Sequence, residues 1–175
     1  MNKNDFAKTP PMGWNSWDCY GASVTEKELK QNADYMAEHL KKYGWEYIIC
    51  DIQWYEPTAD SSHYHKFADL CMDEYGRLIP AENRFPSSVD GVGFAPLAEY
   101  VHQLGLKFGI HILRGIPRQA VHGRMHIKGT DKTADQIAIN SICPWNSDMY
   151  GVDMSIPEGQ LYYDSLMELY ASWGI

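Results

Sequence analysis

Polar residues that close apolar runs are the part of this sequence best placed to do chemistry. Trp17 and Asp18 end the run that begins at Met12. Asp51 ends Tyr47-Ile48-Ile49-Cys50, with Gln53 and Trp54 just beyond, and His111 and Arg114 follow Phe108-Gly109-Ile110. Asp51 is the sharpest of these, because an ionised carboxylate is costly to bury without a partner. It either binds a ligand, caps a loop or pairs with a buried arginine. Trp17 and Trp54 can each lay an indole face on the apolar side of a sugar ring, or simply pack as large aromatics do. His111 suits a hydrogen-bonded core position or a site position that titrates near neutrality.

Two histidine pairs, His63-Tyr64-His65 and His122 with His126, raise metal binding. An H-x-x-x-H pair grips zinc when both rings share one helical face, but Gly123 interrupts the second pair and no helical period surrounds it. No acidic third ligand is spaced to match either pair. Solvated loops are therefore expected, with no metal site. No cofactor is expected either, since no G-x-G-x-x-G follows the first apolar run.

The elements that must position these residues follow a cadence of amphipathic helix, glycine and apolar run. It appears at Lys42-Tyr43-Gly44-Trp45, at Gln103-Leu104-Gly105-Leu106, and begins again at Ser172-Trp173-Gly174-Ile175. Glycine suits the left-handed position just past a helix, and the apolar runs suit strands covered on both faces. Strands are expected at Met12 to Trp17, Tyr47 to Ile52 and Lys107 to Leu113. Ser23 with Glu26 and Thr25 with Glu28 form overlapping capping boxes before a helix from about Thr25 to Tyr43. Pro96 opens a second helix, and Ser155-Ile156-Pro157-Glu158 caps a third that carries Tyr162, Leu166, Leu169 and Trp173.

Strands alternating with helices mean a parallel sheet with right-handed crossovers. The long segments after the second and third strands favour a (β/α)8 barrel over a doubly wound open sheet, because barrel enzymes build their sites at the strand C-termini. The expected fold class is α/β, a partial (β/α)8 TIM barrel from about the first strand to the third helix, cut before strand four. Residues 1–175 carry no linker or low-complexity segment and are expected to form the N-terminal part of one such domain. Three parallel strands would leave two unpaired edges, an invitation to aggregation or self-association; an oligomer is therefore admissible.

Composition excludes some partners. The chain has 45% hydrophobic and 22% charged residues and a formal net charge of −8, which argues against nucleic acid, whose phosphates call for clustered cations. No run approaches the roughly 18 apolar residues of a membrane span. The polar start, Met1 to Lys8, lacks the apolar core of a secretory signal, so a cytoplasmic location is expected. Cys19, Cys50, Cys71 and Cys143 are scattered and indicate neither a disulfide scaffold nor a zinc knuckle.

Thr9-Pro10-Pro11-Met12-Gly13-Trp14-Asn15-Ser16-Trp17 resembles the opening strand of glycoside hydrolase family 27, the α-galactosidases and their relatives. The resemblance continues in order through Asn32-Ala33-Asp34-Tyr35-Met36, Gly44-Trp45-Glu46-Tyr47-Ile48-Ile49-Cys50-Asp51-Ile52-Gln53-Trp54 and Asp73-Glu74-Tyr75-Gly76-Arg77-Leu78. Arg84-Phe85-Pro86 and Gly105-Leu106-Lys107-Phe108-Gly109-Ile110 complete it.

The resemblance implies a (β/α)8 barrel and a retaining mechanism, with one carboxylate as nucleophile and a second as acid, then base. Both catalytic carboxyls are expected beyond Ile175, so none is assigned within the chain, which should be inactive alone. The substrate implied is an α-linked galactoside or a related pyranoside. Trp17 matches the family's stacking tryptophan and Asp51 the first member of its Asp-Asp pair; the second is Ile52 here. His111 stands where relatives often carry tyrosine. Trp17, Asp51, Trp54, His111 and Arg114 are the expected substrate-binding residues. The alternative is a non-catalytic sugar-binding or assembly half-barrel.

Overall fold

The computed structural model describes residues 8–175; the polar start expected to lack a secretory signal lies, apart from Lys8, outside them. Three short strands, β1 (Gly13–Asn15), β2 (Tyr47–Cys50) and β3 (Lys107–Ile110), form a parallel sheet in the order β1-β2-β3. The register sets Asn15 against Ile49, and Cys50 against Ile110. Each strand ends before its expected bound at Trp17, Ile52 or Leu113, because the chain turns away at the polar residues that follow the apolar run.

The first helical segment contains α1 (Trp17–Tyr20), a single turn, followed by α2 (Glu26–Tyr35), which continues as a wide turn over Met36–Leu40 and a tight one over Lys41–Tyr43. Of the two expected capping boxes only one forms: the Glu28 amide donates to Thr25 Oγ1 and the Thr25 amide to Glu28 Oε2. Ser23 instead donates to the Tyr20 carbonyl. Glu26, largely buried, accepts from Lys30 and from the Ser87 amide, tying the helix start to the segment before α3 (Ala95–Gln103). Gly44 and Gly105 take the left-handed conformation the cadence demands, with φ of 91° and 71°.

Beyond β3 the long segment carries secondary structure of its own. β4 (Ile116–Pro117), β5 (Ala138–Ile139) and β6 (Met149–Val152) make a small antiparallel sheet in the order β4-β6-β5, with the short helices α4 (Arg118–His122) and α5 (Ala134–Ile137) against it. The last helix, α6 (Pro157–Ser172), starts without the expected Ser155 cap, since the Ser155 hydroxyl and amide are both engaged by Asp153. Its Tyr162, Leu166 and Tyr170 are buried, as is Trp173 just past it.

The core lies where α2, α3 and α6 meet the parallel sheet. Trp54 is at its centre, fully buried, with ring centroids of Phe94, Tyr170 and Trp173 at 5.4, 6.3 and 6.2 Å. Arg84 is also buried and donates to the carbonyls of Ala22, Val24, Gln53 and Glu56, gathering two loops at one fork. Among the described residues the four cysteines are free, and no helix is long and apolar enough to cross a membrane.

Candidate functional site

The C-terminal ends of the three parallel strands open into a depression of about 440 Å³. Asp51 sits at its floor. One carboxylate oxygen accepts from Asn15 Nδ2 at 2.7 Å and the other from the Ile52 amide at 2.7 Å, while the Asp51 amide donates to Ser16 Oγ at 2.9 Å. His111 Nδ1 lies 3.7 Å from Asp51 Oδ1. An arginine is not its partner; amide donors hold it instead. A carboxylate offers about four lone-pair positions, so two neighbouring donors leave acceptor capacity facing the depression.

Trp17 stands at the rim, 40% exposed. Its amide is fixed by Asn15 Oδ1, and its ring stacks on Tyr64, with centroids 5.8 Å apart and planes 18° from parallel. Tyr64 in turn tilts against Trp145 at 5.1 Å. Burial, helped by the charges of Asp51 and Asp148, pushes the Tyr64 phenol above its ordinary value, so it stays a hydrogen-bond donor. Ile52 and Leu113 supply the apolar part of the lining, and Asp18 a second carboxylate.

A buried polar layer braces the loop after β2. Gln53 takes a left-handed φ of 61°, unusual for a residue with a Cβ. Its side-chain amide donates to Asp148 Oδ2 at 3.2 Å, which also accepts from the Tyr55 hydroxyl at 2.9 Å and Asn146 Nδ2 at 3.2 Å. Burial and the neighbouring Asp148 hold the Tyr55 phenol well above its usual range. Asp148 thereby connects the loop after β2 to the excursion after β3.

Of the five expected binding residues, the structure brings Trp17, Asp51 and His111 together. Trp54 is a correction: the left-handed turn at Gln53 sends its ring into the core, and its Nε1 donates to the His111 carbonyl at 2.9 Å. It supports the site from below and offers no stacking face. Arg114 is not among the residues lining the depression; it lies past the end of β3 and its guanidinium reaches Ser141 Oγ at 3.4 Å. Tyr64, Trp145 and Asp148 were missed. Their one sequence signal is aromatic and acidic residues inside long polar loops, which alone cannot say what they meet. Asp60 joins His63 and His65, contrary to the expectation that no acidic residue is spaced to do so; among the described residues neither His122 nor His126 belongs to such a three-ligand group.

A parallel αβ arc with a carboxylate and aromatic residues at its strand ends defines the class: an α/β protein with a polar hollow at the strand C-termini. The family described as Alpha galactosidase A, Melibiase_2, matches residues 9–171, and the chain belongs to that family. The crystal structure of a family-27 β-L-arabinopyranosidase from Geobacillus stearothermophilus, in complex with arabinose, superimposes with a TM-score of 0.98 at 66% identity, covering 100% of this chain and 41% of that one. A putative α-N-acetylgalactosaminidase from Bacillus halodurans gives a TM-score of 0.90 at 67% identity, covering 95% of this chain and 39% of that one. The α-galactosidase of Cyamopsis tetragonoloba is 36% identical over 112 residues, 63% of this chain and 23% of that protein. The chain thus spans about a quarter of that curated relative and about two fifths of the solved structures.

Proposed function

We propose that this chain supplies the first part of the sugar site of a retaining glycoside hydrolase that acts on pyranosides, and that its preferred sugar lacks a hydroxymethyl group at C5. The observation that carries the sugar preference is Ile52. It lines the depression beside Asp51, where the resemblance calls for a second aspartate. An aspartate there would accept hydrogen bonds from sugar hydroxyls; isoleucine accepts none and fills the space with methyl groups. A galactopyranoside would gain no partner for its exocyclic hydroxyl, which burial would then leave unsatisfied. A β-L-arabinopyranoside has the same ring configuration without that group and meets no such penalty. The β-L-arabinopyranosidase relative supports this reading.

Within the site, Asp51 accepts hydroxyl hydrogens from one face of the ring, Trp17 covers an apolar C–H face, and His111 offers a donor that its half-exposed ring can aim. The two carboxyls that perform the displacement, about 5 Å apart in retaining enzymes, are assigned to strands following Ile175. On this reading residues 1–175 belong to one catalytic barrel domain, bind the sugar and do not break the bond.

The test is hydrolysis of aryl β-L-arabinopyranoside and aryl α-D-galactopyranoside by the full-length protein that carries this chain. The arabinopyranoside should have the higher kcat/KM. Turnover of neither substrate would contradict the hydrolase reading and favour a sugar-binding module.

A further inference from the structure

Asp60, His63 and His65, on the loop after β2, each place a ligand atom within 4.8 Å of the other two. Asp60 divides its oxygens. Oδ1 accepts from the amides of Ser62 and His63 at 2.7 and 3.1 Å and from the Ser62 hydroxyl at 2.8 Å. Oδ2 faces the two imidazoles, 3.1 Å from His65 Nε2 and 3.6 Å from His63 Nε2. The longer approach is beyond a hydrogen bond. Both distances bracket the edge of about 3.3 Å expected for a tetrahedron with bonds of about 2.0–2.1 Å.

The other ring nitrogens are already taken. His65 Nδ1 lies 2.7 Å from Glu56 Oε1, and His63 Nδ1 lies 2.7 Å from Ser62 Oγ. Metal-bound histidines commonly donate their second ring N–H to an oxygen in this way, which fixes the tautomer and aims the remaining lone pair at the metal. Glu56 adds an independent sign. It is fully buried; its Oε1 accepts from Thr58 Oγ1 at 3.0 Å and faces His65, and among the described residues its Oε2 has no hydrogen-bond partner. The buried Arg84 guanidinium lies in its field and donates to its backbone carbonyl, so the side chain of Glu56 is left to hold the His65 ring in place.

We propose that Asp60, His63 and His65 bind a first-row divalent cation, with Zn²⁺ the best fit to two imidazoles and one carboxylate in tetrahedral array, and with Glu56 orienting His65 from outside the coordination sphere. Water completes the coordination. Tyr64 lies between the two histidines and stacks on Trp17, so the cation fastens the loop that forms one wall of the depression. The competing arrangement is a protonated His65 bridging Glu56 and Asp60 with no metal. This proposal stands apart from the hydrolase reading and does not fail with it.

The experiment uses the full-length protein, freed of any affinity tag and treated with chelator, titrated with Zn²⁺ by calorimetry and with Co²⁺ by visible absorption. Saturable binding and the intense absorption of tetrahedral Co²⁺ are expected. His63→Ala, at a side chain 67% exposed and so harmless to folding, should abolish the Co²⁺ band. Glu56→Gln should weaken binding about 10–100-fold. Absence of saturable binding, or binding unchanged in both His63→Ala and Asp60→Asn, would overturn the proposal.

Discussion

At the residue scale Asp51 is the side chain on which the proposed sugar site depends. Its carboxylate is held by Asn15 and the Ile52 amide, so its remaining lone pairs are oriented before any ligand binds. Asp51→Asn keeps the shape but removes the charge and sets a side-chain NH₂ among donors. Loss of one charge-assisted hydrogen bond, about 1.5–3 kcal/mol, should lower kcat/KM about 10–100-fold with little change in the thermal midpoint. An unchanged kcat/KM would remove Asp51 from the site. The place of Asp51 at a strand end facing the depression was legible in the sequence because an acid following four apolar residues has few inexpensive places to go. Trp54, three residues on, was misread for a physical reason: Gln53 adopts a left-handed φ that its side-chain type does not announce, and the reversal buries the indole. Trp54→Ala should therefore behave as a core deletion, costing about 3–5 kcal/mol in chemical denaturation. A cost near zero with selective loss of sugar binding would restore it to the stacking role.

At the element scale the helix-glycine-strand cadence was legible because each step has a local cause: apolar spacing, a cap, then a left-handed glycine. The antiparallel sheet β4-β6-β5 was not. Its strands are two to four residues long and are specified by pairings with distant segments, as is the contact of Asp148 with Gln53 and Tyr55. The two failed capping boxes show the same limit, since Ser23 and Ser155 found nearer partners. The joint between α2 and the Ser87 segment gives a pH test. Burial pushes the Glu26 carboxyl up, but Lys30 and the Ser87 amide outweigh it and leave it below its ordinary 4.5. A depressed folded value contributes stability that is present above 4.5 and lost as pH falls through the folded value. Glu26→Gln should accordingly be less stable than the parent at neutral pH, and the gap should close in acid. A gap that stays constant with pH would show that the charge is not what holds the joint.

At the scale of the whole molecule, the parallel sheet has β1 and β3 at its edges, and a cavity of about 900 Å³ opens beside Trp14, Tyr47 and Ile49. Unpaired edges next to an uncovered face favour association. Prepared alone, residues 1–175 should sediment as oligomers or aggregates and hydrolyse neither substrate; a monodisperse monomer with a cooperative melt would contradict this. The central claim is that the Asp51–Ile52 floor selects a pyranose without a hydroxymethyl group. The most direct measurement is the ratio of kcat/KM for aryl β-L-arabinopyranoside to aryl α-D-galactopyranoside, in the full-length protein and in its Ile52→Asp variant. Restoring the acceptor should move the ratio toward the galactoside by about 10–100-fold, the worth of one charge-assisted hydrogen bond. A ratio that already favours the galactoside, or that Ile52→Asp leaves in place, would contradict the account.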